Sequence, residues 1–225
     1  EQQAVGMAVG MALEGNNVFT CFQSTFMQRA FDQIYHDACC MNLPVTFLVA
    51  RTGFAGYDSP THHGLLDLSY LRSIPNLKIY FPSDTNDLRK ILSERAQNSD
   101  GPMAILHQYE PIQGEEVLVD DRNESGLSNY ENGDDGCLLV PGNVLNTAIN
   151  LKQKISKELK KEFCIKVIRS IKPLPEKALF ETLEKFDTII TIEENTLIGG
   201  LGSAILEFSN EKKLHKHILR FGTPD

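Results

Sequence analysis

Two hydrophobic periods alternate along this chain. Short apolar runs rich in β-branched and aliphatic residues, at 18–22, 43–50, 77–81 and 103–107, predict strands. The run 43–50 is almost continuously apolar, as expected of a parallel strand buried on both faces. Stretches with helical spacing lie between them, at 27–40, 65–72 and 84–98. Ser24 and Thr25 are suitable caps for the first of these, and Pro82-Ser83-Asp84 for the last. A helix at 1–13 carries Gly6 and Gly10 four apart, a spacing that permits close approach to a neighbour, and it is expected to be buried. Strand and helix alternating in this way predict a parallel sheet with right-handed crossovers.

The pattern lapses after about residue 110. Acidic residues, Gly, Asn and Ser predominate there, and an acidic linker over 111–135 is expected, with a short strand at 116–119. Alternation then resumes with strands at 137–140, 163–169, 187–192 and 217–221 and helices between them. The expected fold class is α/β, with two parallel or mixed-sheet domains, residues 1–110 and 136–225.

Composition narrows the function classes. The 225 residues are 41% hydrophobic and 23% charged, and nothing approaches a membrane-spanning apolar run. A net charge of −8 argues against nucleic acid and anionic membrane as partners. It leaves an anionic small substrate open, because a local Arg cluster can oppose the global sign. The five cysteines are odd in number, include the adjacent Cys39 and Cys40 and form no CxxC. Neither a disulfide framework nor a zinc site is indicated, and a reducing compartment is expected. That is the cytoplasm, or a plastid-type organelle if a transit segment has been removed.

Candidate chemistry gathers after the first two strands. Ligands in open α/β sheets bind beyond the carboxyl ends of the strands. The turn 24–28 follows one strand, and the loop 51–63 follows the next. Phe26, Arg29, Arg51, Asp58, His62 and His63 lie on or beside them. Each also has an ordinary structural role. Glu1 suits the first turn of a helix, Phe26 a core, Arg29 with Asp32 a surface pair, and the two histidines a satisfied loop. Gly199-Gly200-Leu201-Gly202-Ser203 lacks a Walker lysine and the full GxGxxG, so it reads as a tight turn into the next helix. Gly133-Asp134-Asp135-Gly136 reads as a solvated loop.

Four stretches, in order, change these weights: EQQAVGMAVGMAL, STFMQRAFDQI, RTGFAGYDSPTHHG and DLSYLRSIPNL. Together they resemble the 1-deoxy-D-xylulose-5-phosphate synthase family of thiamine-diphosphate enzymes, within the transketolase superfamily. The likeness is close over 1–106 and looser over 137–225. It implies a transketolase-like pyrimidine-binding domain and a truncated transketolase C-terminal domain, each of three layers. The implied reaction decarboxylates pyruvate and joins its two-carbon unit to glyceraldehyde 3-phosphate, a transferase step of isoprenoid precursor synthesis. By the same resemblance, Glu1 contacts the aminopyrimidine and activates the cofactor. Phe26 stacks on the pyrimidine, and Arg29 lies near the mouth of the site. Asp58 and His62 handle substrate, and Arg51 holds the acceptor's phosphate.

The resemblance also implies what lies elsewhere. The family's diphosphate and Mg²⁺ ligands belong to an N-terminal domain that these residues do not include, so no metal ligand is expected here. The chain is expected to be a fragment or one half of a split enzyme, completed by that domain or subunit and assembled as a homodimer. Its other partners would be small-molecule substrates. Two substrate-end positions depart from the family pattern: Gln23 stands where a tyrosine is usual, and Tyr109 where a second phosphate-contacting arginine is usual. Two alternatives follow, a transketolase-like enzyme with another acceptor, or a non-catalytic paralogue that keeps the sheet.

Overall fold

The computed structural model describes residues 1–57, 60–108 and 126–225. The first half runs α1 (Gln2–Leu13), β1 (Val18–Gln23), α2 (Ser24–Met27), α3 (Phe31–Gln33), β2 (Val45–Thr52), α4 (Asp67–Ser73), β3 (Lys78–Tyr80), α5 (Thr85–Gln97) and β4 (Met103–Gln108). The second half runs β5 (Leu127–Glu131), β6 (Gly136–Val140), α6 (Leu145–Leu159), β7 (Phe163–Ile168) and β8 (Ser170–Lys172). It ends with α7 (Glu176–Lys185), β9 (Thr188–Thr196), α8 (Leu201–Glu211) and β10 (His217–Thr223).

Two five-stranded sheets result, in the orders β1-β2-β4-β3-β8 and β10-β9-β6-β7-β5. Each is parallel except for one antiparallel edge strand, β8 in the first and β5 in the second. The expected α/β class with mixed sheets and flanking helices is what the chain forms. β2 is buried along most of its length, as its continuous apolar run demands. Asp84 caps α5 through a bond from the Asp87 backbone N–H at 2.8 Å.

Several local expectations are corrected. α1 buries Val5, Ala8, Val9 and Ala12 on one stripe, while Gly6 and Gly10 face open space, with nothing within 4 Å of an added Cβ. The glycines therefore pack against no neighbour among the described residues. The helical path expected at 27–40 begins earlier, at Ser24, and is built in pieces: α2, a 3₁₀ turn (Gln28–Ala30), α3 and a π-helical segment (Ile34–Cys39). Neither Ser24 nor Thr25 caps it. Asp32 pairs with His36 at 2.9 Å rather than with Arg29. Leu127–Glu131, inside the stretch read as linker, is an edge strand. The strand expected at 116–119 lies outside the described residues.

The two sheets are interlocked. β8 follows directly from the second sheet yet pairs with β3 of the first, and Phe81 N–H donates to Arg169 O at 2.7 Å. Asp87 and Arg169, both buried, form an ion pair at 3.1 Å across the same junction. One apolar cluster runs from Val5 on α1 through Phe47 and Ile79 to Ile205 and Phe208 on α8. No helix among the described residues is long and apolar enough to cross a membrane.

Candidate active site

β1 and β2 are parallel neighbours in register, with Gln23 opposite Ala50. The turn after one therefore meets the loop after the other. That loop is closed at its base by two bonds, Gly53 N–H to Gly64 O at 2.9 Å and Gly64 N–H to Gly53 O at 2.8 Å. Gly64 is packed so tightly that a Cβ would lie 2.3 Å from Ser24 Oγ and 2.5 Å from Arg51 O. Arg51 itself sits in the left-handed region, with φ +64°, where a non-glycine residue persists only if its surroundings hold it.

The arrangement brings together four of the residues expected from sequence. Arg29 Nη1 lies 4.0 Å from the Glu1 carboxylate at the start of α1. Its guanidinium also lies 5.8 Å from the centroid of the Phe26 ring. On that ring His62 packs edge-on, with centroids 5.5 Å apart and planes at 80°. Glu1 is 28% exposed at its side chain and Arg29 72%. An ion pair this long and this exposed contributes little to stability, so a ligand can displace it at small cost. His62 Nδ1 lies 3.2 Å from Thr61 Oγ1.

At the other side of the site Gln23 meets Arg51. With its amide oxygen turned to the guanidinium, Gln23 accepts from Arg51 Nη1 at 3.1 Å and Nε at 3.2 Å. Asp58 and Tyr109 lie outside the described residues. His63 has a structural task, its Nδ1 accepting the Ala55 backbone N–H at 2.9 Å. That bond fixes the neutral tautomer that carries its proton on Nε2.

Sequence reasoning missed two acidic residues that hold this loop. Asp67, wholly buried at the start of α4, accepts from Ser24 Oγ at 2.8 Å. Burial pushes its carboxyl up to about 7, against the opposing influence of the Ser24 and Thr52 hydroxyls. Asp67 Oδ2, Thr52 Oγ1 and Tyr70 OH, all buried, make no hydrogen bond of good geometry to the described residues. Glu194, at the end of β9, accepts from the Phe54 backbone N–H at 3.3 Å. Both were visible as acids beside apolar runs, but nothing in periodicity links them to partners so far along the chain.

The three residues Glu193-Glu194-Asn195 each do a separate job. Glu193 accepts from Leu201 N–H at 2.7 Å and Gly202 N–H at 2.8 Å, filling the N-terminus of α8 with its own carboxylate. Burial raises it to about 7, which those two N–H groups oppose. The GGLGS turn is thus occupied from within the chain, in keeping with a tight turn rather than a phosphate cradle. Asn195 accepts from Leu68 N–H at 3.1 Å, serving the first turn of α4.

An aromatic face, a partly exposed carboxylate and an imidazole edge suit a flat, nitrogen-containing heterocycle such as an aminopyrimidine. Among the described residues no three His, Cys, Asp or Glu side chains gather as a cation site. The donor set here fits the pyrimidine end of thiamine diphosphate.

Residues 1–109 match the family described as transketolase, pyrimidine binding domain, and residues 128–225 match transketolase, C-terminal domain. The chain carries transketolase pyrimidine-binding and C-terminal domains. Over its whole length it is 41% identical to the 1-deoxy-D-xylulose-5-phosphate synthase of Carboxydothermus hydrogenoformans and 37% identical to that of Aquifex aeolicus. It spans 36% of the length of each. Among solved structures, a split gene transketolase described as an inactive beta4 tetramer superposes with a TM-score of 0.88 at 26% identity. That match covers all of this chain and 72% of the other. The transketolase of Campylobacter jejuni shares the fold, with a TM-score of 0.75 at 18% identity over 100% of this chain and 34% of that one.

Proposed function

We propose that this chain supplies the pyrimidine-binding and C-terminal portions of a 1-deoxy-D-xylulose-5-phosphate synthase. Its reaction is the decarboxylation of pyruvate and the transfer of the two-carbon unit to glyceraldehyde 3-phosphate. The observation that carries this reading is the convergence of Glu1, Arg29, Phe26 and His62 at the carboxyl ends of β1 and β2. When bound, thiamine diphosphate supplies the electron sink for decarboxylation; the protein supplies binding, orientation and proton transfer.

Each residue then has a task set by its chemistry. Glu1 would hold a proton toward the pyrimidine ring nitrogen, and Phe26 would lie against the ring. Arg29 guards the mouth, giving up its long contact with Glu1 when ligand arrives. His62 is placed to exchange a proton with a substrate oxygen, assisted by Asp58. Arg51, steadied by Gln23, offers charge to the acceptor's phosphate. Tyr109 stands at the same substrate end. Diphosphate and Mg²⁺ are held by a stretch corresponding to the rest of the relatives' length, on the same chain or a separate subunit. Assembly as a homodimer is supported by the exposed Met7, Met11 and Leu13 beside the open glycines of α1. The setting is cytoplasmic, with small-molecule substrates.

Glu1 gives the sharpest test. In the complete enzyme Glu1→Ala should leave the circular dichroism spectrum unchanged and reduce turnover by roughly 10²–10⁴-fold, the usual contribution of a proton-transfer group. Turnover near that of wild type would remove Glu1 from the mechanism.

A further inference from the structure

The second domain reaches the candidate loop through Glu194. Among the described residues its Oε2 accepts from the Phe54 backbone N–H at 3.3 Å and from Asn143 Nδ2 at 3.0 Å. Gly53 lies against the same oxygen: it has φ +87°, and a Cβ there would fall 1.9 Å from Oε2. Only glycine permits that approach, on both steric and conformational grounds. The loop and the carboxylate are therefore shaped to each other.

Glu194 is itself firmly placed. Its carbonyl accepts from Thr223 Oγ1 at 2.9 Å, which ties the end of β9 to β10. Asn143 follows Gly142, and a Cβ on Gly142 would lie 2.5 Å from Ser83 Cα, so the turn that carries Asn143 is pressed against the first domain. The neighbours of Glu194 are committed elsewhere, Glu193 to the start of α8 and Asn195 to α4. Upstream of the grip is Arg51 with φ +64°; downstream is the Gly53–Gly64 closure that leads to His62. A carboxylate accepting from a backbone N–H makes a charge-assisted bond, stronger than a neutral one.

We infer that Glu194 is a positioning residue, through which the C-terminal domain holds the Arg51–Phe54 corner and so sets where Arg51 and His62 meet substrate. This rests on the proposed reading of the loop as the substrate-binding loop. Glu194 acts at one remove. Its effect passes through Phe54 and Gly53 to the backbone of Arg51. A misplacement of about 1 Å at such a site is enough to cost on the order of a hundredfold in rate.

Two readouts in the complete, cofactor-loaded enzyme test it together. Hydrogen exchange reports the amides of Phe54 and Ala55, and steady-state kinetics reports kcat/KM for glyceraldehyde 3-phosphate. Glu194→Ala should speed exchange in this segment about tenfold or more. It should also lower kcat/KM by roughly ten- to a hundredfold, chiefly through the acceptor's KM. Glu194→Gln keeps an oxygen acceptor and should recover most of both. Asn143→Ala, which leaves the carboxylate but removes its second donor, should loosen the segment to an intermediate degree. This variant and Glu194→Gln keep the test available if Glu194→Ala fails to fold.

Exchange equal to wild type in both Glu194→Ala and Asn143→Ala would overturn the grip. Faster exchange with unchanged kcat/KM would overturn the positioning role and leave the proposed reaction standing. A wild-type enzyme with no thiamine-diphosphate-dependent activity on any aldehyde would sink the proposed reaction, and the positioning role with it.

Discussion

The Ser24 hydroxyl donates to the Asp67 carboxylate at 2.8 Å, a buried bond that joins residues 43 positions apart. It fastens the turn carrying Phe26 to the helix that closes the loop carrying His62. Two hydroxyls, Thr52 Oγ1 and Tyr70 OH, are buried nearby without a good bond among the described residues. Burial raises the Tyr70 phenol, and the neighbouring Asp67 carboxylate raises it further. A neutral side chain with both an acceptor and a donor would suit this setting better than an ionised one.

That argument has a sign. The folded carboxyl titrates near 7 against a usual value of 3.8, because burial disfavours its charge. The folded chain therefore binds a proton that the unfolded chain has released between about pH 4 and pH 7. The contribution of Asp67 to stability is fully present below about pH 4 and is lost as pH rises through 7. The full span is roughly 4 kcal/mol, at about 1.4 kcal/mol per unit. Asp67→Asn keeps an oxygen for Ser24 and gains an N–H₂ for the hydroxyls. It should be near neutral at pH 4 and stabilising by up to a few kcal/mol at pH 8. Urea unfolding of both proteins at the two pH values decides it: a wild-type-to-variant difference that does not change with pH would show that Asp67 does not titrate as argued.

The sheet was legible because a buried parallel strand cannot hide its composition. The run at 43–50 and its neighbours at 18–22 and 103–107 became adjacent strands β2, β1 and β4. β8 was not legible, since three residues carry no period, and Lys172 reads with Pro173-Leu174-Pro175 as a turn after the strand at 163–169. β5 was masked by the polar composition around it. The helix α1 misled, because small residues four apart suit a close neighbour and an open face equally well. The grouping of Glu1, Phe26, Arg29 and His62 came from the family resemblance alone, since by position each suited an ordinary structural role. Glu194 was not legible, as its partner Phe54 lies 140 residues away and only the fold brings them together.

The interlock of the sheets predicts a stability effect of its own. Asp87 and Arg169 are buried at 4% and 3% exposure, and Asp87 also accepts from Ser83 N–H at 3.0 Å. Removing one partner of such a pair strands the other charge and costs about 3–5 kcal/mol. Asp87→Ala should therefore lower the unfolding midpoint sharply. A paired replacement, Asp87→Leu with Arg169→Met, should recover much of the loss, since a buried ion pair is close to break-even against apolar packing. If Asp87→Ala shifts the midpoint by less than the equivalent of 1 kcal/mol, the pair does not join the domains in solution.

Under the proposed function, Arg51 and Gln23 bear on the acceptor. A phosphate dianion is best met by a guanidinium offering two parallel N–H groups, and an ammonium cannot reproduce that fork. Gln23 takes bonds from Nε and Nη1, which fixes the guanidinium plane while leaving its charge unneutralised by that partner. A hydrogen bond to a charged group contributes about 1.5–3 kcal/mol. In the complete enzyme Arg51→Lys should therefore lower kcat/KM for glyceraldehyde 3-phosphate by about ten- to a hundredfold. Unphosphorylated glyceraldehyde, which offers no dianion, should change by no more than about threefold. Gln23→Leu removes the support but not the charge and should give a smaller loss with the same preference for the phosphorylated acceptor. The ratio of the two kcat/KM values is the measurement. A fall of equal size for both acceptors in Arg51→Lys would mean that Arg51 shapes the left-handed corner of the loop and does not read phosphate.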